Sequence, residues 1–352
     1  MKNRTVWITK SLLVMGIMML LLTACFSGDA QQTVESQKLA LPIGQYGYIT
    51  WLHPDSLIVK YMPLASPGTY PWFNIYEASL SGKKLESLPK PEFDDCMSFS
   101  PGWTSRRLDG VLIAIYECDR WFESYNGGYS IRYDFMYAWD QVLKAWHEIH
   151  AYPAYFSSVE FSFSPDKHQL VQTQAKGFQS EIYRVTPGQG QMRILPLPEP
   201  QTMSRYSDAL DRVRSPNWSP LDDRIVFAGS GDAPGPNSWQ GIFSARSDGS
   251  DVKELVRGVM HLSPIKLSPD GHYIAFAGQY GIAPYSVWLY AVQTGQLTRI
   301  WSKGSDISAL DWSPDGRRLA IVTVDQTMQG IPWELNSISL LNLDSWLKTQ
   351  DR

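Results

Sequence analysis

Apolar positions along the chain come in short runs separated by turn residues, and one arrangement of them recurs. In Leu310-Asp-Trp-Ser-Pro-Asp-Gly-Arg-Arg-Leu-Ala-Ile-Val322 an apolar run leads into Trp312, a tight turn follows, and an alternating run leaves it. Pro314 presets φ at the first corner, Asp315 can bond its own backbone, and Gly316 accepts a positive φ. Between apolar runs these residues predict a β-hairpin. Weaker copies occupy 265–276, 216–227, 161–171, 97–101 and, faintest, 49–59. The turn prolines Pro54, Pro101, Pro165, Pro220, Pro269 and Pro314 are 47, 64, 55, 49 and 45 residues apart. A period of that size with several strands per unit predicts β-propeller blades.

Each unit supplies four strands. Two flank the Ser-Pro turn. A third is aromatic and alternating, as in Ser286-Val-Trp-Leu-Tyr290, and a fourth follows a second turn, as in Leu297-Thr-Arg-Ile300. The sixth unit runs out after its third strand. Gln37-Lys-Leu-Ala-Leu-Pro42, ahead of the first hairpin, has the look of the missing piece and resembles Lys84-Leu-Glu-Ser-Leu-Pro89. A strand from the N-terminal side that completes the last blade would close the ring and protect its edges. The expected fold is therefore all-β: a six-bladed propeller of four-stranded antiparallel blades over residues 37–352, its last blade closed by an N-terminal strand.

The Ser-Pro-Asp-Gly turns followed by apolar strands resemble the WD40-like (PD40) repeats of the TolB-type propeller, over roughly residues 37 to 345. Propellers of prolyl-oligopeptidase-like enzymes share this pattern. The chain departs from TolB in leaving no room for that protein's N-terminal α/β domain, and from the peptidases in having no hydrolase domain after the last blade. The resemblance implies a fold and a leaning towards binding, and names no partner.

Residues 1–24 lie outside the repeats. Lys2, Arg4 and Lys10 precede a short apolar run that ends in Leu22-Thr-Ala-Cys25. This resembles the signal peptide and lipobox of bacterial lipoproteins, which implies that Cys25 receives lipid, palmitate-type chains among it, and becomes the mature N-terminus. Residues 25–36 then form a flexible leash. The expected location is extracytoplasmic, on the periplasmic or cell-surface side of a membrane. Cys96 and Cys118 remain as an even pair, and in an exported chain that suggests a disulfide. Removing the leader leaves 28 basic against 35 acidic residues, a formal charge of −7, which argues against nucleic acid.

Catalytic signals are absent. No Gly-x-Ser-x-Gly elbow occurs, and no Gly-rich phosphate motif precedes a helix. The six histidines are dispersed, and His147 and His150 would face opposite sides of a strand, so no metal or cofactor is expected. Asp166, Asp270 and Asp315 fit turn chemistry. Asp94, Asp95, Glu160, Asp306 and Asp311 lie near inner strands, which keeps a carbohydrate-active or other small-substrate enzyme at the channel mouth as the alternative.

In a four-stranded blade the first-to-second and third-to-fourth turns share one face, which the Ser-Pro turns keep tight. Longer loops share the other face and carry Tyr70, Trp72, Trp121, Phe122, Tyr125, Trp239, Tyr280, Tyr285 and Trp333. Loop aromatics suit a protein or peptide interface. They equally suit rings folded back over the blades. The expectation is a non-catalytic, membrane-tethered scaffold of the cell envelope that binds protein or peptide on this face.

Overall fold

In the computed structural model, residues 34–63, 73–81, 85–91, 98–106, 111–122, 129–153, 160–176, 179–186, 190–195, 212–231, 239–262, 264–302, 306–327 and 334–350 are described. Among them all regular elements but one are β-strands. β1 (Glu35–Lys38) precedes a first group, β2 (Gly44–His53), β3 (Ser56–Pro63), β4 (Asn74–Ser79) and β5 (Leu85–Ser87). The second is β6 (Ser98–Arg106), β7 (Leu112–Phe122), β8 (Tyr129–Asp140) and β9 (Ala145–Pro153). The third is β10 (Phe161–Phe163), β11 (Leu170–Lys176), β12 (Gln179–Thr186) and β13 (Gly190–Leu195). The fourth is β14 (Arg212–Trp218), β15 (Arg224–Gly231), β16 (Trp239–Arg246) and β17 (Lys253–Met260). The fifth is β18 (Ile265–Leu267), β19 (Tyr273–Tyr280), β20 (Ser286–Ala291) and β21 (Leu297–Trp301). β22 (Ile307–Trp312), β23 (Arg318–Thr327) and β24 (Glu334–Asn342) end in a short helix, α1 (Asp344–Gln350).

The turns explain the hairpins. In three of them the serine hydroxyl donates to the aspartate two residues on, at 2.5–2.6 Å, and accepts the N–H of the residue five on, at or just before the start of the next strand. The aspartate in turn accepts the N–H of His168, His272 or Arg317. The fourth position has a left-handed φ of 74° at Gly271, 69° at Gly316 and 66° at Lys167, where a side chain tolerates it less well.

Alternation along the strands then divides the core, because successive side chains point to opposite faces of a sheet. Leu112, Ala114 and Tyr116 pack against Leu52, Ile58 and Ile75 of the first group. Ile113 and Ile115, with Met136, pack instead against Phe161, Leu170 and Val185 of the third. Ile225 and Phe227 meet Val171 and Ile182. Val226 and Ala228 meet Ile274 and Phe276. Ala275 and Ala277 meet Leu319 and Ile321. Val322 and Ile338 meet Trp51 and Val59, so the last group packs on the first. This is a propeller arrangement of antiparallel sheets.

β1 supplies the fourth strand of the last sheet, whose order is β1-β24-β23-β22. Its pairing runs from Glu35↔Asn342 to Lys38↔Ser339. The expected strand at 37–42 is therefore shifted towards the N-terminus. Leu39 only extends it, donating its N–H to Ile338 O at 2.8 Å while its side chain joins the core.

One expectation needs correction, and another is met in part. The hairpin turn placed at Pro101 is not one: β6 runs through Pro101 to Arg106, with a register shift between Pro101 and Thr104. An irregularity of this kind accommodates a proline inside a strand. The six-bladed expectation is met in part: among the described residues, hydrogen bonds merge the third, fourth and fifth groups into one twelve-stranded sheet, beside three of four strands. The joins are slight: one parallel pair, Ser180↔Arg212, and two antiparallel pairs, Val259↔Tyr280 and Met260↔Gln279. After β24 the chain forms α1, held by a bond from Asp344 N–H to Asn342 Oδ1 and by Trp346, which is buried against Tyr273.

Candidate functional site

The two faces differ in what their side chains are already doing. On the turn face the carboxylates are occupied by structure. Asp166 is held below the usual carboxylate range by the Ser164 hydroxyl and then the His168 N–H. Asp315 is pushed up by burial, but the Ser313 hydroxyl, the Arg317 N–H and the Arg318 charge together bring it down. Asp140 caps its own turn by accepting the N–H groups of Val142 and Leu143, both at 2.8 Å.

The inner-strand acids are partly committed too. Asp311 accepts the backbone N–H of Trp51 through Oδ2 at 2.9 Å, and its carbonyl accepts the Trp51 indole at 3.1 Å. Trp312 repeats the device one group back, donating its indole N–H to Lys266 O at 3.0 Å. Glu160 Oε2 accepts the N–H of Ser215. Beside it, Phe161, Ser215, Pro216, Asn217, Pro264, Ile265 and Lys266 of three successive inner strands enclose a cavity of about 30 Å³. That is room for a water molecule. Asp94 and Asp95 lie outside the described residues. Among the described residues no group of His, Cys, Asp or Glu is placed to hold a metal ion.

The loop side is where chemistry gathers. β2 bulges between Tyr46 and Ile49, which sets Gly47 and Tyr48 opposite Lys60 of β3. A Cβ on Gly47 would lie 3.3 Å from the Lys60 stem, so the lysine lies close along the bulge. Its ammonium sits 4.8 Å from the Phe73 ring centroid and 5.3 Å from that of Tyr48, which is cation–π range. Burial lowers the Lys60 pKa, against the opposing pull of Glu117 on the neighbouring group. Burial, with the charges of Glu160 and Glu117, pushes the Tyr48 phenol up to about 12. On the far side, Tyr285 is pushed up to about 12 by burial and Asp306, with Arg214 pulling it back.

Of the aromatic residues expected on this face, Tyr280 and Tyr285 are described. Tyr280 is 38% exposed and meets Trp288 edge-on at 5.5 Å. Tyr285 is half-buried and packs on the core between the fifth and sixth groups. Trp121 and Phe122 end β7, and Trp239 begins β16, so their backbones lie where the loops leave the sheets. Tyr70, Trp72, Tyr125 and Trp333 lie outside the described residues, as do Cys25 and Cys96. Cys118 is fully buried and its sulfur is in a disulfide. Its register partner on β6 is Phe99.

The sequence reading missed Tyr48, Lys60, Phe73 and Glu117. One signal for them existed: Lys60 interrupts the otherwise apolar run Leu57-Ile-Val-Lys-Tyr-Met62.

Comparison with known proteins agrees with this architecture. The chain matches the crystal structure of TolB from Acinetobacter baumannii with a TM-score of 0.51 and 18% identity over 82% of its length. The fold is that of the TolB propeller. A putative TolB from Agrobacterium tumefaciens matches with a TM-score of 0.50 and 16% identity, covering 85% of this chain and 91% of that one. The chain spans 64% of the length of the Acinetobacter TolB. The sequence matches no family model and no curated protein. At these identities the TolB likeness is one of fold.

Proposed function

We propose that this chain is a lipid-anchored, extracytoplasmic six-bladed propeller that binds a protein or peptide partner on its loop side. The observation that carries the binding reading is the contrast between the faces. Turn-side acids are used up in hairpins, whereas Tyr48, Lys60 and Phe73 come together on the loop side, within electrostatic reach of Glu117. The count of six rests on the six clusters of buried side chains, each drawing on two neighbouring groups and the last returning to the first. Sheets are joined by as little as one residue pair, whereas packing layers separate blades, so the layers give the better count. Anchoring rests on the lipobox-like Leu22-Thr-Ala-Cys25, and the Cys96–Cys118 bridge on an even pair with Cys118 oxidised.

The enzyme alternative is weaker. Asp311 and Glu160, two of the acids it would use, carry backbone bonds between inner strands.

The test is capture from detergent-solubilised membranes with the full-length protein, against a variant with Trp72, Trp121, Trp239 and Trp333 changed to Ala. A partner held by the parent and lost by the folded variant is the expected result. Equal capture by both would move the site off this face.

A further inference from the structure

The turns of successive groups touch one another. Leu221, in the turn between β14 and β15, lies so near Gly271 of the next group that a Cβ there would stand 2.8 Å from its Cγ. A Cβ on Gly316 would stand 3.9 Å from Pro269 Cδ. Arg318 donates to Pro54 O, and Gln141 Nε2 lies 3.3 Å from His53 Nε2. From the fourth group round to the second, the turn side is therefore one continuous platform.

Apolar side chains stand out from this platform. Leu221 is 57% exposed, Leu143 65% and Val142 90%. The last two form the tip of the turn between β8 and β9, which is held in shape from within. Asp140 accepts both their N–H groups, and Gln141 Oε1 accepts the Trp139 indole N–H at 2.7 Å. Lys144 follows, and a lysine stem can lie along an apolar surface while its ammonium stays in water.

The tether arrives on the same side. Glu35 opens β1 opposite Asn342, which pairs in turn with Arg318, the residue that leaves the Ser313 turn. Glu35 also lines an open hollow with Asp344, Lys348 and Thr349 of α1. Cys25 lies nine residues before Val34, and a chain of that length reaches at most about 30 Å. A compact domain of this size is roughly 50 Å across. A lipid at Cys25 therefore draws the turn side, and not the loop face, against a bilayer.

We propose that the turn platform is a membrane-docking surface, on which Val142, Leu143 and Leu221 enter the headgroup boundary while the loop face points away from the bilayer. The inference rests on the lipid anchor of the proposed function. Weak contacts suffice, because the tether holds the apolar tips near the bilayer at high effective concentration. Asp55, Asp222 and Asp223 are exposed on this side together with Lys144, Lys167 and Arg317, so charge gives no bias towards anionic lipid.

The test uses the full-length lipidated protein in phosphatidylcholine vesicles containing brominated acyl chains. An environment-sensitive fluorophore is attached to a Leu143→Cys variant or, as the loop-side control, to Ile282→Cys, a position that is 93% exposed. Bromine should quench the label at 143 at least ~2-fold more than the label at 282. Equal quenching at the two positions, or stronger quenching at 282, would overturn the inference. In a labelled Leu221→Cys protein, adding Val142→Asp and Leu143→Asp should weaken quenching. Unchanged quenching there would also overturn the inference, because the turn between β8 and β9 would not be seated. Co-flotation with the vesicles reads the anchor separately. Flotation without quenching at 143 would overturn this inference and leave the anchor standing, whereas no flotation of the unaltered protein would overturn both.

Discussion

Where the sixth group meets the first, thirteen buried apolar side chains form one cluster; where the second meets the third, six do, among the described residues. The first of these seams is also bonded over long distances in the chain. Trp51 donates twice to Asp311, Asn336 Nδ2 donates to Tyr46 O at 2.8 Å, and Arg318 donates to Pro54 O while lying over the Trp51 ring. The other seam is apolar near the turns but becomes polar towards the loops. Gln172, Gln174 and Glu181 are at most 5% exposed there. Glu181 accepts from Tyr183 and from Arg193 at 3.0 Å, and Gln174 donates to Gln191 at 2.6 Å. The ring is closed through β1, four residues long, paired to β24 and flanked by the buried Val34 and Leu39, so packing at the seam has to help keep it shut.

Cutting the closing seam should have the largest effect. Trp51→Ala removes a fully buried indole and its bond to the Asp311 carbonyl, and should cost about 3–5 kcal/mol in denaturant unfolding. A loss below about 1 kcal/mol would mean that the first and last groups do not depend on each other. In the polar seam, Glu181→Ala leaves Tyr183 and Arg193 without their acceptor and should cost about 1–3 kcal/mol. If it cost more than Trp51→Ala, the ranking of the two seams would be reversed.

Smaller effects separate the repeated turns from the seams. Ser313→Ala removes two turn bonds and should cost about 1 kcal/mol. The carboxylates of Asp166 and Asp315 are held below their ordinary value when folded. Their contribution is therefore present above the ordinary carboxylate pKa and lost as pH falls through the lowered values. Ser313→Ala should flatten the acid limb of the stability profile, and an unchanged limb would show that the turn hydroxyl is not what lowers Asp315. The smallest change is a gain. Lys167 holds a left-handed φ of 66°, so Lys167→Gly should stabilise the protein by about 0.5–1 kcal/mol. A loss there would mean that the lysine side chain contributes more than the backbone strain costs.

What could be read in the sequence was what is local. The Ser-Pro-Asp-Gly turns announce their hairpins because proline, aspartate and glycine each act within a few residues. They also identify the turn acids as structural. The closing strand was legible by elimination, since one unit lacked a strand and a spare apolar run preceded the first. Its register was not, because it depends on where Leu39 finds Ile338 some 300 residues away. The bond between Trp51 and Asp311 spans 260 positions and leaves no mark on either local stretch. The Lys60 site is hidden for the same reason: Tyr48, Lys60 and Phe73 belong to three strands or their flanks, and Glu117 to another group. At Pro101 the reading failed because a local signal was trusted where a strand irregularity could absorb it.

The most direct test of closure is native-state amide hydrogen exchange, read at the two seams of the unaltered protein. The N–H of Trp51 crosses the closing seam to Asp311 Oδ2, and that of Leu39 extends the β1–β24 pairing that closes the ring, to Ile338 O. If that seam holds the ring, both should exchange only on global unfolding, and those of β10 and β11 should exchange by a cheaper local opening. Exchange at Leu39 and Trp51 that is faster than at Val171 and Gln172 would contradict the account, because the ring would then open first where its ends meet.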